Sequence, residues 1–249
     1  MKRFVLALSV FAFAAGCSKQ PPEIPSRKII KTVAPEKLDQ MRKTIESQVT
    51  PILAEGLTLK LWGVDSLVAD PVSIDVDDNG ALFYTRTNRQ KNSEFDIRGH
   101  QDWEIRSIAL QSIDDKRKFL HEELSPENSN KNEWLADLNG DGSHDWKDMT
   151  VEKEHIYRVE DTDGDGMADQ AQLVIEDFND EVTDAAGGVM KHGDDLFFNV
   201  GPDMWRITDS NGDGFADKKE SISHGYGIHI GFSGHGMSGI EVGPEGKIY

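Results

Sequence analysis

The hydrophobic positions of this chain follow two different periods. Between Pro35 and Pro51 the apolar residues recur every three or four positions, which predicts a short amphipathic helix on the edge of a domain, at Leu38, Met41, Ile45 and Val49. From residue 57 the period is two, which predicts a strand in which Leu57, Leu59 and Leu61 alternate with Thr58, Lys60 and Trp62. Later apolar runs are short and bounded by turn residues, so we expect strands and no core helix up to Tyr249.

Two kinds of unit recur in the strand-rich part of the chain. The stretch IYRVEDTDGDGMAD (156–169) aligns with MWRITDSNGDGFAD (204–217) at an offset of 48 residues. A strand-turn-strand unit appears in 72–84, 187–198 and 238–249. Recurrence every 40 to 50 residues is typical of a β-propeller, in which each blade is a four-stranded sheet. A β-sandwich with calcium-binding hairpins is the alternative, and it predicts no fixed period.

The predicted fold class is therefore all-β, with a partial β-propeller over residues 57–249. At the observed repeat length this stretch supplies about four blades. Because a closed ring usually needs more, and because the sequence stops within the apolar run GKIY, we expect a truncated piece of a longer protein. The polar stretch 87–131 is interpreted as an insertion between blades, built around one strand at 103–110.

The first residues have the pattern of an export signal. Two basic residues precede an apolar run, Phe4 to Ala15, that is too short to span a membrane. The sequence Ala14-Ala15-Gly16-Cys17 resembles a bacterial lipobox, which predicts a lipoprotein signal peptide over 1–16 and a lipidated Cys17; an ordinary cleaved signal is the alternative. A Pro-rich tether (17–34) and a short helix with linker (35–56) follow, which predicts a lipid-anchored location in the outer membrane or cell envelope, facing the periplasm or the surface.

Charge and cysteine content narrow the range of possible functions and cofactors. The 249 residues carry 45 acidic and 27 basic side chains, a formal charge of −18, which argues against nucleic-acid binding and favours cations. Cys17 is the one cysteine, so the chain has no disulfide and no CxxCH haem attachment.

Three twelve-residue stretches match the calcium-binding loop of EF-hands, in which oxygens at positions 1, 3, 5, 7, 9 and 12 surround the ion and Gly occupies position 6. They are DLNGDGSHDWKD (137–148), DTDGDGMADQAQ (161–172) and DSNGDGFADKKE (209–220). The expected ligands, with main-chain carbonyls at Ser143, Met167 and Phe215, are Asp137, Asn139, Asp141, Asp145, Asp148, Asp161, Asp163, Asp165, Asp169, Asp209, Asn211, Asp213, Asp217 and Glu220. Because the second loop ends in Gln172, we expect it to borrow a ligand or to bind more weakly. Plain turn formation is the alternative.

The Gly-rich stretch from His224 to Tyr249 is the strongest candidate for a reactive site. His224, His229 and His235 fall within a dozen residues of it, and an imidazole can accept a proton near neutral pH. Turn glycines with surface histidines are the alternative.

The segment GHGMSGIEVGPEGKIY resembles the catalytic blade of the soluble quinoprotein glucose and sorbosone dehydrogenases, and His235, eight residues before Gly243, has the spacing of that family's general base. The stretches GLTLKLWGVDSLVADPVSIDVDDNGALFY and RVEDTDGDGMADQ also resemble membrane-bound dehydrogenase propellers of environmental bacteria. The resemblance, over about Glu55 to Tyr249, implies oxidation of a sugar or alcohol with pyrroloquinoline quinone, calcium and a c-type cytochrome as electron acceptor. It implies His235 as base, and a pocket shaped by His224 and His229 with Arg86 and Arg89 holding anionic groups.

Two other functions remain open on the same fold. One is a non-catalytic, calcium-stabilised propeller that binds glycans or a partner protein at the cell surface. The other is a secreted hydrolase of lactones or phosphoesters with a metal on the propeller axis.

Overall fold

The computed structural model describes residues 24, 27–89 and 92–249, so the predicted signal peptide and Cys17 lie outside the described residues, as does half of the tether. Within these ranges the fold consists of nine strands and three α-helices, α1 (Pro35–Gln48), α2 (Glu104–Ile108) and α3 (Ile113–Glu123). Short 3-10 helices occupy Ile97–Gly99, Gln101–Trp103, Pro126–Lys131 and Asp148–Thr150. The fold is thus mostly β, as expected.

Among the described residues, no helix is long and apolar enough to cross a membrane.

The strands form two open antiparallel sheets. The first sheet contains β1 (Ile30–Thr32), β2 (Ile74–Val76), β3 (Leu82–Arg86), β4 (Glu154–Glu160) and β5 (Gln170–Asp177) in the order β1-β5-β4-β3-β2. The second sheet contains β6 (Val189–His192), β7 (Asp195–Val200), β8 (Asp203–Thr208) and β9 (Lys218–His224) in chain order. Strands β2 to β5 therefore form the same up-and-down meander as β6 to β9, and β1 adds a fifth strand at the edge.

The two meanders are copies in register, as the repeat predicts. Tyr84 pairs with Tyr157 between β3 and β4, and Phe198 pairs with Trp205 between β7 and β8, 48 positions after Tyr157. Each fourth strand carries a β-bulge, and the bulged residues, Val174 and Ile222, are again 48 positions apart. A bulge leaves one residue outside the ladder of hydrogen bonds and bends the strand locally. Its presence at the same position in both sheets is therefore part of the repeat.

The main core lies between the sheets. Phe83, Ile156 and Val174 of the first sheet pack against Phe198 and Ile207 of the second, and all five are at most 4% exposed. Burial of this apolar face supplies the main free energy that holds the sheets together.

Helix α1 confirms the sequence prediction. It begins at Pro35, and its apolar face places Leu38 in a second core cluster with Val159 of β4 and Ala168 of the loop before β5, while Met41 and Ile45 pack around it. Proline is favoured in the first turn because it has no N–H to leave unpaired.

The interpretation of residues 87–131 is wrong in two respects. The insertion lies within the first sheet, between β3 and β4, and it is helical around 103–110, where a strand was expected. Trp103 and Ser107 are buried four positions apart, whereas the Ile105 and Ile108 side chains that suggested a strand are exposed.

The expectation of no core helix after residue 57 is also wrong. Helix α3 buries Phe119 and Leu120 in a third cluster with Trp103 and Leu135, and it also buries Lys116. That inward-facing lysine hid the helical period from the hydrophobic pattern.

Two further stretches predicted as strands are not regular strands. Residues 57–62 have no strand beside them among the described residues, so no ladder of hydrogen bonds forms there. The unit 238–249 is reduced to an isolated bridge between Val242 and Ile248.

Candidate calcium loops and a histidine cleft

Two of the three calcium-loop motifs connect the last two strands of a meander. The motif 161–172 joins β4 to β5, and 209–220 joins β8 to β9. In the first, the Asp161 carboxylate accepts hydrogen bonds from the N–H groups of Gly164 and Gly166, and Asp209 does the same with Gly212 and Gly214. These four glycines have φ between 75° and 90°, a conformation that side chains other than Gly rarely adopt.

The acidic residue at position 9 closes both loops in the same way. Asp169 accepts from the N–H and the hydroxyl of Thr162, and Asp217 accepts from the N–H and the hydroxyl of Ser210. These bonds to Ser210 lower the pKa of Asp217, and the N–H of Gly166 lowers the pKa of Asp161. Both loops are therefore built to carry ionised carboxylates.

The loop 161–172 has oxygens close enough for one ion. One carboxylate oxygen from each of Asp161, Asp163 and Asp165 lies within 4.8 Å of the others. Calcium binds oxygens at 2.3–2.6 Å, so ligands around one ion are up to about 5 Å apart. The donor set and its spacing fit calcium.

The position-12 residues differ among the loops. In 137–148, Asp148 is fully buried and accepts hydrogen bonds from the N–H groups of Leu138 and Asp145, so it points into its own loop. Glu220 instead pairs with Arg206 on the neighbouring strand at 2.5 Å. Gln172 lies against Gly214, in the other loop, where a side chain at Gly214 would collide with it.

A lysine from the N-terminal side contacts the loop 209–220. The Lys28 ammonium pairs with Asp213, which lowers the pKa of that carboxyl, and it lies 5.1 Å from the centre of the Phe215 ring. Lys28 therefore forms an ion pair with one of the carboxylates that the motif predicts as calcium ligands.

His229 and His235 line one small cleft of about 110 Å³, together with Asp184 and Phe232. The Nε2 atom of His229 lies 3.2 Å from the Leu110 carbonyl. Among the described residues, none forms a hydrogen bond with the His235 imidazole, which meets the edge of the Phe232 ring at 6.0 Å between ring centres.

The helical insertion holds this cleft in place. Glu94 accepts hydrogen bonds from the Ser233 hydroxyl and the Gly234 N–H, and the Ser107 hydroxyl accepts from the Ile230 N–H. The loop that carries His235 is therefore anchored to residues that the sequence pattern treated as an accessory insertion.

The cleft contains an ion pair between a buried lysine and a half-buried aspartate that sequence reasoning missed. The Lys116 ammonium, on α3, lies 3.1 Å from the Asp184 carboxylate and also donates to the carbonyls of Val182 and Gly227. The second oxygen of Asp184 packs against Gly201 and Gly227, where any side chain would collide with it. The cluster of glycines around residue 227 is the sequence signal that could have indicated a close approach of a side chain to the backbone there.

The other predicted site residues lie elsewhere. His224 pairs with Asp203 at 2.9 Å in a separate cleft of about 490 Å³. Arg89 is 1% exposed, and its guanidinium donates to the carbonyls of Met149, Glu152, Phe178 and Asp180 while lying 3.6 Å from Glu154. Arg86, at the end of β3, pairs with His155 in the ladder and does not line the His235 cleft.

Comparison with known proteins adds one finding. No curated protein and no solved structure matches the chain. A family model described as a domain of unknown function (DUF7133) matches residues 46–249, which is most of the chain and includes β2 to β9, the three calcium-loop motifs and the histidine cleft. The chain therefore belongs to the DUF7133 family.

Proposed function

We propose that this chain is the calcium-stabilised β-propeller portion of an exported protein that oxidises a sugar or alcohol in the His235 cleft. The propeller is supported by the two meanders, which share strand order, register and bulge position and pack face to face. Successive propeller blades are related in this way. The first and second sheets would then be neighbouring blades.

Calcium would stabilise the outer ends of the blades. Without the ion, the loops 161–172 and 209–220 gather carboxylates that repel one another, and binding would remove that repulsion while fixing the turn between the last two strands. A similar ion would fix the loop 137–148 within the helical insertion. These sites are proposed as structural because they lie in connections between elements and not at the cleft.

The observation that carries the catalytic proposal is the placement of His235. Its imidazole lines a cleft, and no described residue forms a hydrogen bond with it, so its ring nitrogens are available to a substrate hydroxyl. The Phe232 ring, 49% exposed, offers an apolar face, and Asp184 and Glu94 offer acceptors for other hydroxyl groups. This mixture suits a polyhydroxylated, uncharged substrate.

The quinone implied by the resemblance does not fit the lining of this cleft. Pyrroloquinoline quinone carries three carboxylates, whereas the lining supplies the carboxylates of Glu94, Glu181 and Asp184 and a single lysine, Lys116, that is already paired. Arg86 and Arg89 do not line it. We therefore assign no chemical step to the quinone, and the hydride acceptor is a component to be identified in the parent protein.

Export, lipid anchoring at Cys17 and electron transfer to a c-type cytochrome belong to the same proposal. They are supported by the sequence of residues 1–17 and by the family resemblance.

A non-catalytic propeller that binds glycans or a partner protein is the second candidate. It is favoured by the dispersal of the predicted site, since His224, Arg86 and Arg89 all lie outside the His235 cleft. A binding module needs the hydroxyl acceptors of the cleft but not a free base.

The deciding experiment measures dye reduction by the complete gene product over a panel of sugars and alcohols, with calcium and with and without pyrroloquinoline quinone. We expect His235→Ala to lower kcat/KM by about 10²- to 10⁴-fold, the usual contribution of a general base. His192→Ala, at the exposed end of β6, is the matched control and should leave activity unchanged.

Melting temperatures of each variant with and without calcium separate loss of chemistry from loss of folding. Sugar binding without dye reduction, and unaffected by His235→Ala, would favour the binding module.

A further inference from the structure

One hydrogen bond between the sheets has a counterpart that involves residue 62. The Ala216 N–H of the second sheet donates to the carbonyl of Val174, the bulged residue of β5, at 2.9 Å. Ala168 lies 48 positions before Ala216, and its N–H donates to the Trp62 carbonyl at 2.7 Å. Trp62 therefore accepts the same hydrogen bond from the first repeat that Val174 of β5 accepts from the second.

The chain around Trp62 follows the same path as the chain around Val174. After Val174, a connection leads into β6, the inner strand of the second sheet, and after Trp62 a connection of similar length leads into β2, the inner strand of the first. Residues 57–62 thus have the position of a fourth strand in a unit that precedes the first sheet.

The apolar side chains on that side are uncovered. Ile74, on β2, is 59% exposed, whereas Val189, its counterpart on β6, is 3% exposed because it packs against the first sheet. Leu59 lies three positions before Trp62, and its counterpart Ala171 lies three positions before the bulge of β5. Leu59 is 64% exposed, whereas Ala171 is 5% exposed. The outer half of the same face is covered by α1 and Trp62, and Tyr84 on β3 is covered by Leu67. The open surface is therefore at β2, where the inner strands of a preceding unit would pack.

We propose that residues 57–62 are the fourth strand of a further four-stranded unit and that this strand closes the propeller ring. The occupant of the open surface is a three-stranded antiparallel meander of the same repeat, equivalent to β6, β7 and β8. Its third strand pairs with residues 57–62, as β8 pairs with β9. This inference rests on the propeller proposed above.

The source of the meander is the same polypeptide, from repeats beyond Tyr249. The connection from Trp62 into β2 is similar in length to the connection between the two sheets. Residues 57–62 and the first sheet are therefore successive parts of one ring, and the missing strands complete that same ring. The alternating Leu57, Leu59 and Leu61 supply the period of two that such a pairing needs.

Hydrogen exchange on the complete gene product and on the 249-residue chain tests the proposal. In the complete gene product we expect the amides of 57–62 to exchange as slowly as those of β5 (170–177). In the 249-residue chain they should exchange at least 10-fold faster, while β5 keeps its protection.

Lys60→Pro removes an N–H in the middle of the segment. It should lower the melting temperature of the complete gene product by about 5 °C and leave that of the 249-residue chain unchanged. Glu55→Pro, in the exposed turn before the segment, is the matched control and should change neither.

Rapid exchange of 57–62 in the complete gene product would overturn the proposal, as would protection that appears only at high concentration, which would indicate a second copy. A gene product that ends at Tyr249 and stays monomeric would overturn it as well. Calcium-dependent stability and dye reduction, measured on the same samples, report separately on the proposed function.

Discussion

Both sheets carry an imidazole and a carboxylate at the same pair of facing positions, but the strand that carries the imidazole differs between them. In the first sheet His155 on β4 faces Glu176 on β5 at 3.3 Å, and 48 positions later Asp203 on β8 faces His224 on β9 at 2.9 Å. The His155 side chain is 7% exposed, whereas that of His224 is 58% exposed.

His155 lies on the third strand, where its counterpart Asp203 is also only 12% exposed. On the fourth strand Glu176 is 10% exposed whereas His224 is 58% exposed, and this difference comes from what lies beside each repeat. Strand β1 covers the edge of β5, and Arg27 pairs with Glu176 beside it, whereas no described strand covers β9. Burial lowers the pKa of His155, which disfavours its protonated form. The repeat therefore sets register and pairing, and the flanking segments set burial and charge.

The largest expected effect is on stability. His155→Ala should lower the free energy of unfolding by about 2 kcal/mol, because it leaves a cavity and removes a partner of the buried Glu176. His224→Ala should cost no more than about 0.5 kcal/mol, because the site is exposed. Urea unfolding of the two variants measures the contrast, and equal costs would contradict the effect of burial on which it depends.

A smaller effect concerns pH. The Arg27 side chain lowers the pKa of Glu176 to about 2, below the usual carboxyl value of about 4.3. A carboxylate with a lowered pKa contributes stability that is fully present above about pH 4.3 and is lost as the pH falls toward 2. Arg27→Ala should therefore move the acid limb of the unfolding curve to higher pH.

At neutral pH this change should have little effect on stability, because Arg27 is 67% exposed and water screens the pair. Arg206→Ala, which breaks the exposed pair with Glu220 in the second sheet, is the control. Identical acid profiles for the two variants would contradict a special role for the first-sheet pair.

The smallest effect concerns the loop 209–220. Lys28→Met should raise its calcium affinity a few-fold, because the ammonium no longer pairs with Asp213, a proposed ligand. The test is isothermal titration of a chain in which Asp137→Asn and Asp161→Asn disable the other two loops. Lys31→Met is the matched control, since Lys31 contacts the Ser66 carbonyl outside the loop. Equal affinities in the two variants would show that Lys28 does not compete with calcium.

The parts of the fold that the sequence predicts are those that the repeat encodes. The 48-residue offset locates β4, β5, β8 and β9 and the loops between them, because register and turn chemistry are local properties. Pro35 and the period after it locate α1. These predictions need only neighbouring residues.

The parts that fail depend on contacts distant in sequence. Lys116 is buried because Asp184 and two carbonyls surround its ammonium, and no hydrophobic pattern shows this. Arg89 resembles a pocket cation in sequence, but four carbonyls from other segments hold it in the interior. The cleft itself requires the insertion to anchor the His235 loop through Glu94, 140 positions away.

Calcium titration of the 249-residue chain tests the central claim most directly. We predict three bound ions, with the loop 161–172 the weakest, and a higher melting temperature in calcium. Asp137→Ala, Asp161→Ala and Asp209→Ala should each remove one ion. An absence of binding heat and of any change in melting temperature up to about 10 mM calcium, beyond the range of weak extracellular sites, would contradict the account.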